Sequence, residues 1–239
     1  MRIVLSLIDT KRSRIDSKAH LRQLRNGGVS ILGFYRATGC GILAAVPRPG
    51  DHQATEPAPS GRDAGGDQGT VVVLTDGTRA LIRPIGPEDR GRLKAGFESA
   101  SAESIFLRFL SPHPRLSSSE LGYLTAVDHV RHEALIAVDP ETGQSFGTAR
   151  YIRSDDDPAS AEFAIGVGDR WMRIGLGAAL LEALARRARE QGIARFTGLI
   201  HSENQAIRRL VEKVIGPFTT TSAGAGALEM VVDLGTERP

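Results

Sequence analysis

Asp169-Arg170-Trp171-Met172-Arg173-Ile174-Gly175-Leu176-Gly177-Ala178-Ala179-Leu180-Leu181 is the stretch around which this chain is organised. A run of strand character ends just before it, and a strongly periodic helix begins inside it. Two glycines stand at the junction, spaced Gly-x-Gly. They let the backbone approach a ligand closely while the first N–H groups of the helix remain without partners. Those donors and the positive end of the helix dipole suit a phosphate or pyrophosphate. Glycines also relieve crowding where a helix starts, so the surrounding elements must decide between the two readings.

Upstream, Thr70–Thr75 and Thr78–Ile85 read as two strands joined by a tight Asp76-Gly77 turn. Pro87-Glu88-Asp89 has the composition of a helix's first turn, and that helix would carry Leu93 and Phe97 inward. A second helix is expected over residues 102–109, closed by Ser111-Pro112. Ser117 and Glu120 form a capping-box pattern for a third. Glu133–Val138 and Ser145–Ile152, joined by Asp139-Pro-Glu-Thr-Gly143, read as another hairpin, and Ser160–Val167 as the next strand. After the glycines, Leu176, Leu180, Leu181 and Leu184 recur at helical spacing up to Gly192, a natural terminator. Ala194–Ile200 is then a strand parallel to the one before the glycines, because a helix joins them. Asn204–Val214 is a helix, and Leu228–Leu234 closes the sheet. The fold class is α/β (α+β): a mixed, mostly antiparallel sheet with a central βαβ unit and flanking helices.

The 239 residues are 41% hydrophobic and 24% charged, the composition of an ordinary globular protein. The net charge of +2 is unevenly spread. Residues 1–36 hold eight Lys and Arg against Asp9 and Asp16, whereas residues 37–69 and 70–239 are each slightly acidic. The main body therefore lacks the basic excess of a nucleic-acid binder, and nucleic acid is not an expected partner. Residues 1–46 read as a basic extension, poorly ordered or a short helix. A docking segment, a stretch upstream of the true start and a nucleic-acid-touching arm are its other readings. Residues 47–69, with Pro47, Pro49, Pro57 and Pro59, have linker composition, and 70–236 form the main domain. Cys40 is the only cysteine, which excludes an internal disulfide and a cysteine zinc site. Gly27–Val46, broken by Arg36 and four glycines, is the nearest approach to a membrane span. With no signal-peptide pattern at the start, a cytoplasmic protein with no membrane association is expected.

Across roughly residues 70–235 the sequence resembles the GNAT superfamily of N-acetyltransferases. The superfamily's acyl-CoA signature, Arg/Gln-x-x-Gly-x-Gly/Ala after a strand, corresponds to Met172-Arg173-Ile174-Gly175-Leu176-Gly177, with Met172 in place of Arg or Gln. Arg108–Pro112, Leu124–His129 and His132–Ala137 look like the acetyltransferase module of bacterial protein-lysine acetyltransferases. The cyclic-nucleotide or acyl-CoA-synthetase-like domains often fused to that module have no counterpart in residues 1–69.

The resemblance implies a direct transfer of acetyl from acetyl-CoA, as co-substrate and without a metal, to a primary amine. A protein lysine is the favoured acceptor, a small amine the alternative, and a catalytically weak acyl-CoA-binding sensor the reading from another class. It casts Glu162, in Ala161-Glu-Phe-Ala-Ile165, as the general base. The chemistry needs one: a free lysine, with a pKa of about 10.4, costs on the order of 4–5 kcal/mol to deprotonate at pH 7. A plain surface or cross-strand glutamate is the bland alternative. The resemblance further implies that Met172, Arg173, Ile174, Gly175, Leu176, Gly177 and Ala178 hold the pyrophosphate, with Arg173 supplying charge, and that Asn204 contacts the CoA arm. The acyl oxygen would take donors around Ile165, Gly166 and Val167, where Gly166 and Gly168 suit a bulge or splay; a weakened strand end fits equally. Many relatives place a tyrosine in the last helix as general acid. The three tyrosines of this chain, Tyr35, Tyr123 and Tyr151, all lie elsewhere. His129 and His132 read as turn histidines rather than catalytic ones, and Arg186, Arg187 and Arg189 as a solvated helix face.

Overall fold

A computed structural model describes residues 69–110 and 115–235 of the protein. The expectations for residues 1–68, for Ser111-Pro112 and for Cys40 lie outside the described residues. Eight strands form one sheet in the order β1-β2-β3-β4-β5-β6-β8-β7. They are β1 Thr70–Val73, β2 Arg79–Pro84, β3 His132–Val138, β4 Ser145–Arg153, β5 Ser160–Val167, β6 Arg195–His201, β7 Phe218–Gly224 and β8 Ala227–Asp233. Among the described residues five α-helices flank it: α1 Arg90–Glu98, α2 Ala102–Phe109, α3 Ser118–Thr125, α4 Leu176–Glu190 and α5 Gln205–Val214.

Strand alternation assigns the two faces. Leu135 and Ala137 of β3, Ala149 and Tyr151 of β4, and Phe163, Ile165 and Val167 of β5 join one core with Leu176, Leu180, Leu181 and Leu184 of α4 and Ile207 and Val211 of α5. Ala134, Ile136 and Val138 turn the other way and pack with Ile85 and Val127. With both faces covered, every residue of β3 is buried, and His-Glu-Ala-Leu-Ile-Ala-Val shows no hydrophobic alternation. The α4 leucines are each fully buried, a contribution of about 1.5–3 kcal/mol apiece.

Local chemistry sets the boundaries. Ser117 and Glu120 form the expected capping box of α3, and Asn204 caps α5 through its Oδ1, which accepts the Ile207 N–H at 3.3 Å. Gly192, at φ +75°, follows the last turn of α4. Pro87–Asp89 forms a separate 3-10 turn rather than the first turn of α1, and Leu93 and Phe97 are only half-buried. Asp89 fixes that turn: it is fully buried and accepts two hydrogen bonds from the Arg83 guanidinium, at 2.7 Å each.

The sheet does not end where the sequence suggests. The expected closing strand is β8, which pairs antiparallel with β6, but β7 lies beyond it as the edge. Its residues, Phe-Thr-Thr-Thr-Ser-Ala-Gly, are almost all exposed, so the strand carries no apolar alternation to reveal it.

Candidate active site

All neighbouring strands run antiparallel except β5 and β6, which pair in parallel only from Ser160–Arg195 to Glu162–Thr197. Beyond Glu162 the two strands diverge, opening a wedge in the middle of the sheet. The ladder on the other side of β5 continues to Gly147–Val167, and the Gly168 N–H donates to Phe146 O at 2.9 Å. Residues 146 and 168 are therefore a hydrogen-bonded pair, and alternation along an antiparallel ladder sets the rest. Gly166 faces β4, whereas Ile165 and Val167 direct their N–H groups away from β4 into the wedge. Divergence from β6 does this, without the bulge that Gly166 and Gly168 would also have suited. Gly147 permits the tight pairing, since a Cβ there would lie 2.6 Å from Gly166 O.

The glycine stretch stands at the open end of the wedge. Asp169–Trp171 form a 3-10 turn, Met172 is extended, and Arg173 (φ +62°) and Gly175 (φ +93°) turn the chain into α4 at Leu176. Only glycine adopts the Gly175 conformation without strain. The Ala179 N–H bonds back to Gly175 O at 3.1 Å, so the N–H groups of Leu176, Gly177 and Ala178 precede the first intrahelical bond. The Thr75 N–H donates to Ile174 O at 3.0 Å, pinning the loop to the first hairpin. Trp171 packs on Phe146 with ring centroids 3.9 Å apart, and Met172 and Ile174 pack against the core. The position where the superfamily carries Arg or Gln is thus filled as an apolar contact. Arg173, next to it, is exposed.

Glu162 is half-buried at the narrow root of the wedge, level with Ile152 of β4 and Thr197 of β6. It shares a face with Ala164 and Gly166, opposite to α4. Asn204 lies across the wedge in the β6–α5 turn, 3% exposed, with its oxygen engaged in the helix cap. The expected site residues therefore divide into three groups around one opening: Glu162 at its root, Ile165–Val167 along one edge, and 172–178 with Asn204 at its mouth.

Residues 79–214 match the acetyltransferase (GNAT) domain family, more than half of the chain. This chain belongs to the GNAT family. It is 29% identical over 161 residues to the acetyltransferase Pat of Mycolicibacterium smegmatis, covering 67% of this chain and 48% of the relative, so it spans about half that relative's length. The GNAT domain of PAT from S. lividans superposes with a TM-score of 0.65 at 31% identity, covering 72% of this chain and all of the other. YncA of Salmonella typhimurium, solved with its cofactor acetyl-CoA, superposes at 0.52 with 19% identity, covering 67% and 96%. That last likeness shows the fold alone.

Several contacts around this opening escape a sequence reading. The Asp169 carboxylate accepts the Ser101 N–H at 2.9 Å and the Ser104 hydroxyl at 2.5 Å, tying the glycine loop to the start of α2. Arg108, on α2, lies over β5: its Nε would be 4.0 Å from a Cβ built on Gly166. Arg150, which pairs with Ala164 across the β4–β5 ladder, is 1% exposed. Its Nη1 donates to Leu124 O at 3.2 Å and lies 3.3 Å from His132 Nε2, while its Nε has no hydrogen-bond partner. Burial, and then the positive charge of Arg150, push the His132 imidazole down to about 3, so the ring is neutral and accepts. Burial, and then Arg108, bring the Arg150 guanidinium down to about 9.

His129 and His132 both engage neighbouring side chains. His129 Nδ1 lies 2.7 Å from the buried Glu133 carboxylate, and that hydrogen bond raises its pKa. No group of His, Cys, Asp or Glu among the described residues is arranged to hold a metal. The arginine row of α4 is not a purely solvated face: Arg187 reaches Glu133 at 3.2 Å and Arg189 holds Leu234 O at 2.7 and 2.9 Å, leaving Arg186 exposed. No helix among the described residues is long and apolar enough to cross a membrane.

Proposed function

We propose that the protein is an acetyl-CoA-dependent N-acetyltransferase that acetylates a primary amine, with a protein lysine as favoured acceptor and Glu162 as general base. One observation carries this reading: β5 and β6 part directly after Glu162, and the start of α4 stands at the mouth of the opening. The two strands are unpaired beyond Glu162, so an extended pantetheine arm can lie between them.

In this mechanism the N–H groups from Arg173 to Ala178 receive the pyrophosphate together with the positive end of α4. The Met172 side chain, packed against the core, adds no charge there, and the exposed Arg173 does. The N–H groups of Ile165 and Val167 hold the acyl oxygen and strengthen their bonds as it becomes an oxyanion. Glu162 takes the proton from the attacking amine, and the resulting neutral nitrogen bonds to the acyl carbon. The C–S bond then breaks, and the thiolate leaves with a proton from water, because α5 carries no tyrosine. The lysine acceptor is supported by the resemblance of Arg108–Pro112, Leu124–His129 and His132–Ala137 to protein-lysine acetyltransferase modules.

The test combines thermal shift with acetyl-CoA against CoA and thiol release with lysine peptides and small amines. Stabilisation by acetyl-CoA with release on peptides supports the full reading. Release on small amines alone moves the acceptor class, and binding without release on any amine makes the protein a sensor.

A further inference from the structure

Glu162, Ala164 and Gly166 line one face of β5, and any amine that reaches an acyl group in the wedge from the Glu162 side must pass over them. Beside Ala164 on this face stands Arg150, a cation 1% exposed to solvent. It forms no ion pair with a carboxylate among the described residues: a carbonyl and a neutral imidazole share its Nη1, and its Nε bonds to nothing. A buried charge held so incompletely costs stability, and the fold retains it beside the transfer point.

We propose that Arg150 is a positioning residue of an electrostatic kind: its buried positive charge disfavours an ammonium over β5, so that the acceptor amine enters its reactive, neutral form. The inference rests on the function proposed above. The physical warrant is that a cation in a poorly screened environment lowers the pKa of a neighbouring amine, as with lysines activated by a second cationic group. The charged and titratable groups facing Arg150 are Arg108 from α2, Tyr123 from α3, His132 from β3 and Glu162 from β5, with Asp128 holding the His132 N–H at 2.8 Å. Arg108 reinforces the field, His132, neutral, does not screen it, and the Glu162 carboxylate, two residues along β5 on the same face, offsets part of it. The charge of Arg150 itself fades only as pH rises towards about 9.

The experiment compares wild type, Arg150→Met and Arg150→Lys on a lysine peptide and on the same peptide with thialysine, whose amine is less basic. The expected result is a loss of about tenfold in kcat for Arg150→Met on the lysine peptide near pH 7, one pKa unit of amine basicity. The loss on thialysine is similar at pH 7 and disappears at a lower pH than on lysine as pH rises, the acid limb of kcat moves upward on both peptides, and the KM for acetyl-CoA holds. Arg150→Lys restores most of the rate. A loss that stays the same at every pH with an unmoved acid limb, or no loss at all, overturns the inference. Should Arg150→Met not fold, Arg150→Gln, which keeps a donor for Leu124 O, carries the same comparison. If Glu162→Gln abolishes turnover while the Arg150 variant leaves the acid limb in place, this inference fails and the proposed function stands. Absence of transfer by wild type to any amine overturns both.

Discussion

Asp169 and Ser104 meet through a 2.5 Å hydrogen bond between carboxylate and hydroxyl, and the same carboxylate accepts the Ser101 N–H that opens α2. The glycine loop and the helix lying over the acceptor face are thereby joined at one residue. Asp169→Ala removes both bonds and leaves two donors to find water, a loss of about 1–3 kcal/mol in stability. Chemical denaturation measures that loss. Titration with acetyl-CoA is expected to show affinity about tenfold weaker, because the loop is no longer fixed at its start.

Glu162→Gln keeps the shape of the side chain and removes its basicity. Turnover should fall by about 10²–10⁴-fold, the range of a lost general base. Acetyl-CoA affinity, measured calorimetrically, should stay within about twofold, since the carboxylate lies at the root of the wedge and the pyrophosphate donors at its mouth. Activity equal to wild type removes Glu162 from the mechanism.

Gly175, at φ +93°, sets the direction in which α4 begins. Alanine there meets only an ordinary contact, Thr75 Cγ2 at 3.7 Å, so the penalty is conformational rather than steric. Gly175→Ala is expected to cost about 1–2 kcal/mol of stability and to weaken acetyl-CoA binding more than it lowers kcat. A spared affinity would show that the loop backbone does not hold the pyrophosphate.

The His129–Glu133 pair predicts a pH dependence of stability. The hydrogen bond to Glu133 raises the folded-state pKa of His129 above its unfolded value. The contribution is therefore complete below about pH 6.5 and is lost as pH rises through the higher folded value. His129 is about a third exposed, so screening keeps the effect to about 1 kcal/mol or less. Urea unfolding near pH 6 and pH 8 should show wild type losing that increment and His129→Gln lacking it.

The elements legible in the sequence are those whose signals are local. Gly175 marks the loop because glycine at positive φ has a conformational cause, and Ser117 with Glu120 marks α3 because both ends of the capping box lie within four residues. The leucine-spaced helix also reads directly, since it buries one periodic face, and Ser160–Val167 reads as a strand from its short, mostly apolar run before the glycines. The relationships that were not legible join residues far apart or reverse a local rule. Asp169 and Ser104 are 65 positions apart. Arg150 lies in Thr-Ala-Arg-Tyr-Ile, where a charge suggests a solvent-facing position; both sheet faces are covered, so it lies inside. Arg187 reads as part of a polar helix face, yet it reaches inward to a glutamate that an unbroken apolar strand conceals. The edge strand β7 shows the opposite failure, an exposed Thr-rich segment with no apolar face to betray it.

The most direct test of the central claim is the mass of a lysine peptide after incubation with the protein and acetyl-CoA, with released thiol followed in the same sample. The account predicts the gain of one acetyl group on the lysine nitrogen, an equal amount of thiol, and loss of both with Glu162→Gln. Binding of acetyl-CoA with no acetyl gained by any amine, peptide or small molecule, would contradict it.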